Sequence, residues 1–279
     1  MSGNLVSPNP RLQRTRSASP PSPLSRQPLG ARRDVTRNHA CMLGVWALCA
    51  LVVVPEGSGW ADPADPHDLT GQQILDRVAE VYARCASYRD SGVVKTIFIE
   101  AFGKRTVEKP FTTAFVRPNH FRFEYYEKGQ KENRFVIWCN GKEVQTWWGI
   151  QPGVERSSSL SAALAAATGV SSGSARRIPG LLLADPIGAG WDIRRLQHLE
   201  RLGDAKLRGA DCMLVRGETG VGRHEPVVLW IAKFTFLIRR IEEQNTFDDF
   251  RTEETTTYEP RINGQVPDRL LEFDRSTQK

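Results

Sequence analysis

From Ser91 onward the apolar residues of this chain recur at every second position, in short runs separated by turn residues. This period limits the fold more than any other feature. Side chains two apart on an extended chain share one face, so the runs are strands, and their short connections make neighbours antiparallel. Residues 93–99 read as a strand and Phe102-Gly103-Lys104 as a turn, and a second strand runs to Val116. Phe121, Phe123 and Tyr125 then alternate with Arg122, Glu124 and Tyr126. Residues 135–138 are apolar on both faces, Asn140-Gly141 marks a hairpin, and residues 144–148 return. After an interruption, strands resume at about 196–202, 211–217, 226–232, 235–245, 251–259 and 269–273, with a turn at 219–222. A sheet of about 10–11 consecutive antiparallel strands curls toward a barrel.

Two stretches depart from that period. Ahead of the strands, Ile74, Leu75, Val78, Val81, Tyr82 and Cys85 form one stripe at helical spacing, so a helix capped by Asp68 or Thr70 runs to about Ala86. Residues 157–168 are rich in Ala and Leu, with Leu160 and Leu164 one turn apart, and predict a second helical segment. Gly169 to Gly173 read as flexible, and Ile178 to Leu183 supply a further apolar piece. The expected fold is therefore α+β: an incomplete antiparallel β-barrel with an N-terminal helix and a helical lid insertion at about 155–190, within a domain spanning 70–275.

The chain has 279 residues and a formal charge of +6, which at first suggests a nucleic-acid binder. Seven arginines and one acid lie in residues 1–40, leaving 31 basic and 31 acidic residues in the remainder. The domain is neutral, and the nucleic-acid reading falls. Residues 1–40 hold six Pro and six Ser and too little apolar surface to offset the entropy of ordering, so they are expected to be disordered. The apolar run from Met42 to Val54 is too short for a bilayer span, which needs ~20 residues, but suits a secretory signal with Arg37 as its charged flank. Gly59-Trp60-Ala61 places cleavage after Ala61, with residues 62–69 as a linker; a later translation start near Val35 would shorten the leader. Export leaves Cys85, Cys139 and Cys212, enough for one disulfide and a free thiol. The His and Cys spacings show no metal set, and no cofactor is expected.

Half of the 24 aromatic residues fall within 98–148, and Val227 to Ile231 is again apolar on both faces. Such strands need cover on both sides. A filled core meets that need, and so does an aromatic-lined cavity for an acyl chain or lipid. The candidate lining is Phe111, Phe115, Phe121, Phe123, Trp138, Trp147 and Trp230 from the strands, with Leu164 and Leu182 from the insertion. Gly169-Val170-Ser171-Ser172-Gly173 matches a hydrolase motif, with Asp185 and His198 following in the order of a serine triad. An Ala-rich helix precedes it where a buried strand is needed, so catalysis at Ser171 is a remote reading.

Phe115-Val116-Arg117-Pro118-Asn119-His120-Phe121-Arg122-Phe123 resembles the outer-membrane lipoprotein carrier family, LolA and its relatives, in which a strand ends in Arg-Pro-Asn before alternating aromatics. Asn140-Gly141-Lys142 with Trp147-Trp148, the stretch from Leu229 to Ile241, and Tyr258-Glu259-Pro260-Arg261-Ile262-Asn263 through Phe273 resemble later parts of that family, in order. The insertion shows no match. The resemblance implies a periplasmic, non-enzymatic carrier whose cavity takes the acyl chains of a lipidated protein or another lipid. It implies that Arg117 latches the lid shut, and that partners include an inner-membrane release complex and an outer-membrane acceptor. Relatives of the fold also serve as envelope-stress sensors or protein-interaction modules, which is the alternative reading.

Overall fold

The computed structural model describes residues 68–151, 153–184, 192–219 and 224–273. The leader, the signal segment, Asp185 and the turn at 220–222 lie outside the described residues.

The chain opens with α1 (Gly71–Arg84). The hydroxyl of Thr70 accepts from the backbone N–H of Gln73, whose side chain accepts in turn from the N–H of Thr70. This reciprocal box satisfies two donors that a helix start leaves open, and it selects Thr70 over Asp68 as the cap. Ile74, Leu75, Val78 and Tyr82 are buried on the stripe that the sequence predicts.

Five strands follow as a meander: β1 (Ser87–Glu100), β2 (Gly103–Val116), β3 (His120–Glu127), β4 (Gln130–Asn140) and β5 (Val144–Trp148). In the hairpin before β5 the Asn140 carboxamide oxygen accepts from the N–H groups of Lys142 and Glu143, and Gly141 takes φ 91°. A short β6 (Val154–Ser157), which the sequence analysis reads as the start of the insertion, pairs with β5. The insertion then forms α2 (Leu160–Ala167) and α3 (Arg177–Leu182). The chain returns through β7 (Gln197–Leu207), β8 (Ala210–Glu218), β9 (Pro226–Ala232), β10 (Ile238–Thr246), β11 (Phe250–Tyr258) and β12 (Arg261–Ile262).

All described strands join one antiparallel sheet in the order β6-β5-β4-β3-β2-β1-β11-β10-β9-β8-β7, with β12 added beside β1. The sheet does not close, because its two edge strands, β6 and β7, are not paired with each other. The central join is between β1 and β11, the first and nearly the last strands, where Gly92 lies opposite Tyr258. The expected incomplete barrel is thus an open sheet of twelve strands.

One expected strand is absent. Residues 268–270 form a single 3-10 turn in place of a strand at 269–273, and Phe273 stacks on Trp138 with ring centroids 4.2 Å apart. The apolar Leu-Leu-Glu-Phe run gains burial by lying across the sheet, not by pairing at its edge.

Alternation divides the sheet into two faces. Tyr88, Phe111, Phe115, Phe121, Phe123, Tyr125, Ile137, Val215, Leu229, Ile231, Ile241 and Tyr258 belong to one continuous core with α1 and the insertion. This is the covered face. Gly92 permits its closest packing: a Cβ there would collide with the Phe111 ring and the Thr257 carbonyl oxygen. No described helix is long and apolar enough to cross a membrane.

Candidate functional site

The covered face carries six of the nine residues expected to line a cavity. Phe111, Phe115, Phe121 and Phe123 rise from β2 and β3 and share one buried core with Leu164 of α2, which lies nearest β4, β5 and β6, and Leu182 of α3, which lies nearest α1. Phe115, Phe121, Phe123, Leu164 and Leu182 are fully buried. Phe111 stacks on Phe123 at 6.2 Å and meets Tyr258 edge-on at 5.5 Å.

The other three lie on the opposite, open face. Cys139 pairs with Phe121 and Ile137 with Phe123, so Trp138 between them faces away, opposite Arg122. Trp147 pairs with Val136 on the same side, and both Trp138 and Trp147 lie against Phe273. Trp230 sits under the Arg240 guanidinium, 4.9 Å from the ring centre. Among the described residues, the tryptophan on the covered side is Trp148, edge-on to Phe135 at 5.8 Å.

Arg117, the expected latch, is placed at the end of β2. Its Nε donates to the carbonyl of Cys85 at 2.7 Å and its Nη2 to that of Tyr82 at 3.0 Å. These carbonyls belong to the last turn and cap of α1, where a helix leaves acceptors open and favours a cation. Arg117 thus fastens α1, not the insertion at 155–190. Tyr82 is also held by its hydroxyl, which accepts from the N–H of Ile238 at 3.1 Å.

The insertion is held by residues that the sequence analysis does not single out. Arg177, at the start of α3, is 6% exposed and forms ion pairs with Glu243 of β10 and Glu254 of β11. Its Nη1 also donates to the Thr256 hydroxyl at 2.7 Å and to the carbonyl of Ser172. Burial works against the guanidinium charge, but the two carboxylates outweigh it and hold its pKa above the ordinary value. Lys109 of β2 donates to the carbonyl of Val170 at 2.8 Å and to the Ser172 hydroxyl at 3.1 Å. Its burial lowers its pKa. Local sequence offers one signal for this cluster: Glu243 falls on the parity of Ile241, the side on which β10 is buried.

A second polar group lies beneath α1. Tyr88 donates to the Asp90 carboxylate at 2.7 Å, and Asp90 stands opposite Thr113 across the β1–β2 pair. Burial pushes the Asp90 carboxyl up to about 6, against the stabilising hydrogen bond from Tyr88.

The remote hydrolase reading finds no assembled nucleophile. Ser171 is fully buried in the turn between α2 and α3; its hydroxyl donates to the Thr168 carbonyl and accepts from the N–H of Ala175. His198 meets Glu218 at 2.9 Å on an exposed part of the sheet edge. Cys85, Cys139 and Cys212 are free and buried, and burial raises all three thiols.

Fold and site together define an open antiparallel sheet whose apolar face is closed by a helical layer. No family model and no curated protein sequence matches the chain. Among solved structures, it is similar to the lipoprotein LppX of Mycobacterium tuberculosis, at 10% identity and a TM-score of 0.40, covering 71% of this chain and 97% of that one. It is similar to a putative outer membrane lipoprotein-sorting protein domain from Vibrio parahaemolyticus, at 10% identity and a TM-score of 0.34, covering 75% and 97%. A LolA superfamily protein from Nitrosomonas europaea gives 13% identity and a TM-score of 0.29, covering 74% and 98%. At these values the likeness is one of outline.

Two outcomes follow from the buried charges. Arg177→Ala leaves Glu243 and Glu254 without their cation and should lower stability by about 3–5 kcal/mol in urea unfolding. The Asp90 carboxyl keeps its proton in the folded state up to about pH 6, whereas an unfolded carboxyl releases it near ~4. Between those values the folded state binds more protons, so this group's contribution to stability falls as pH rises. From pH 4 to 7 the natural chain should therefore lose ~2–3 kcal/mol more than Asp90→Asn, measured by urea unfolding at both pH values.

Proposed function

We propose that the protein is an exported, non-enzymatic carrier that takes lipoprotein acyl chains, or another lipid, between the covered face of its sheet and the helical layer above. The observation that carries this reading is the composition of that boundary. Phe111, Phe115, Phe121 and Phe123 form an aromatic floor that shares one buried core with Leu164 and Leu182, and the polar ties between the insertion and the strands include those of Arg177 and Lys109. A layer held over an apolar floor by a few discrete bonds works as a lid. An acyl chain entering there replaces apolar contact with apolar contact, while the ion pairs and carbonyl bonds set the resistance to opening.

The driving force is burial of the chain. Each CH2 contributes ~0.8 kcal/mol, so an acyl chain of about sixteen carbons binds well even after ordering costs. The lining consists of the six residues on the covered face; Trp138, Trp147 and Trp230 play no part in it. Arg117 serves as a latch by holding the last turn of α1. The signal segment ending at Ala61 directs the domain to the periplasm. There an inner-membrane release complex supplies the lipidated protein and an outer-membrane acceptor receives it.

A protein-interaction or envelope-stress sensing role on the same scaffold is the second reading. The exposed aromatic rings of Phe102, Phe234 and Phe247, all outside the core, favour it. Native mass spectrometry of the full chain recovered from the periplasm separates the two. A carrier should leave the cell with lipid-sized mass increments and should bind a fluorescent fatty acid that palmitate displaces. A protein that is always empty and does not bind the probe, yet retains a membrane-anchored protein without lipid, would establish the second reading instead.

A further inference from the structure

The open face holds a group of arginines that the acyl-chain reading does not use. Strand register places Arg261 of β12 beside Arg89 of β1, Arg89 beside Ala114 of β2, and Ala114 beside Arg122 of β3. The row across four strands is thus Arg-Arg-Ala-Arg, and the small side chain of Ala114 leaves a hollow between two guanidinium groups. A cavity of about 340 Å³ opens there, lined by the three arginines together with Thr112, Glu259 and Leu270.

The cations in this hollow exceed what the protein supplies to balance them. Like charges placed directly opposite on neighbouring strands repel, as Arg89 and Arg261 must. Among the described residues neither meets a carboxylate. Arg122 is tied to Glu124, but its Nε is buried and has no acceptor. Glu259 is engaged by Arg208 at 3.0 Å and by the Ser91 hydroxyl. The carboxylate of Asp90 accepts from Tyr88 on the other face of the sheet. Guanidinium groups from three strands and the Thr112 hydroxyl line the space, a set of donors that suits an oxyanion such as phosphate. Leu270 offers an apolar wall for the rest of such a molecule.

We propose that this cavity binds the phosphate group of an organic phosphate, with Arg89 and Arg261 clasping its oxygens and Arg122 adding its positive charge to the wall. The site stands apart from the acyl-chain boundary, on the opposite side of the sheet, and holds or fails independently of it. The phosphate belongs either to a phospholipid headgroup or to a soluble phosphate ester.

Titration of the full chain with inorganic phosphate and with glycerol 3-phosphate, and sedimentation with phosphatidylglycerol vesicles, tests the site and separates its sources. Arg89→Gln and Arg261→Gln should each weaken binding about tenfold, the equivalent of one lost hydrogen bond between charged groups. In phosphate-free buffer both variants should melt no lower than the natural chain, because each removes a repulsive pair. Arg216→Gln, which removes an exposed arginine bonded to Glu200, should bind as the natural chain does. Loss with the soluble phosphates assigns a soluble ester, and loss with vesicles alone assigns a headgroup. Absence of binding in both arms, binding untouched by the two substitutions, or an equal loss in Arg216→Gln would overturn the proposal.

Discussion

An eleven-strand path of antiparallel sheet presents one continuous apolar face, and that face must be covered for the chain to fold. Burial of apolar surface at about 25 cal/mol per Å² dominates over any single polar contact here. Helix α1 supplies cover through Ile74, Leu75, Val78 and Tyr82, and the insertion supplies it through Leu164, Ala167, Ile178 and Leu182. The position of every other feature follows. Arg117 and the Tyr82 hydroxyl fix the end of α1, and Arg177 and Lys109 fix the insertion.

The cover is uneven in kind, and this gives the sheet its functional character. Tyr82 of α1 meets Tyr88, Asp90 and Tyr258 of the strands beneath it, a polar group near the β1–β11 join. The aromatic rings of β2 and β3 share one buried core with the leucines of the insertion. A buried guanidinium between two carboxylates costs much desolvation and adds little net stability over an apolar contact. Its bonds are directional, and they tie α3 to β10 and β11 at Glu243, Glu254 and Thr256.

Much of this could be read from the residues, and the failures have physical causes. Phe121, Phe123 and Tyr125 alternate with polar neighbours, so the period alone assigns their face correctly. Trp138 and Trp230 sit in runs that are apolar on both sides, and Trp147 is followed directly by Trp148, so the period cannot choose a face. There the choice rests on register with β3, β4 and β8, which is a long-range property. Arg177 follows another arginine in a small-residue stretch, and its partners lie 66 and 77 residues away. Nothing local marks it as buried. The Asn140-Gly141 turn was legible because one side chain and one positive φ make it. The 268–270 turn was not, because it depends on Phe273 finding Trp138 across the sheet.

The central claim is that lipid enters between the covered face and the insertion. Hydrogen exchange of the full chain, with and without palmitate, tests it most directly. If lipid enters there, palmitate changes exchange in residues 160–182 and in the last turn of α1, while β7 and β8 stay as they were. Unchanged exchange in those helices at saturating palmitate, or changes confined to the open face around Trp138 and Trp230, would contradict it.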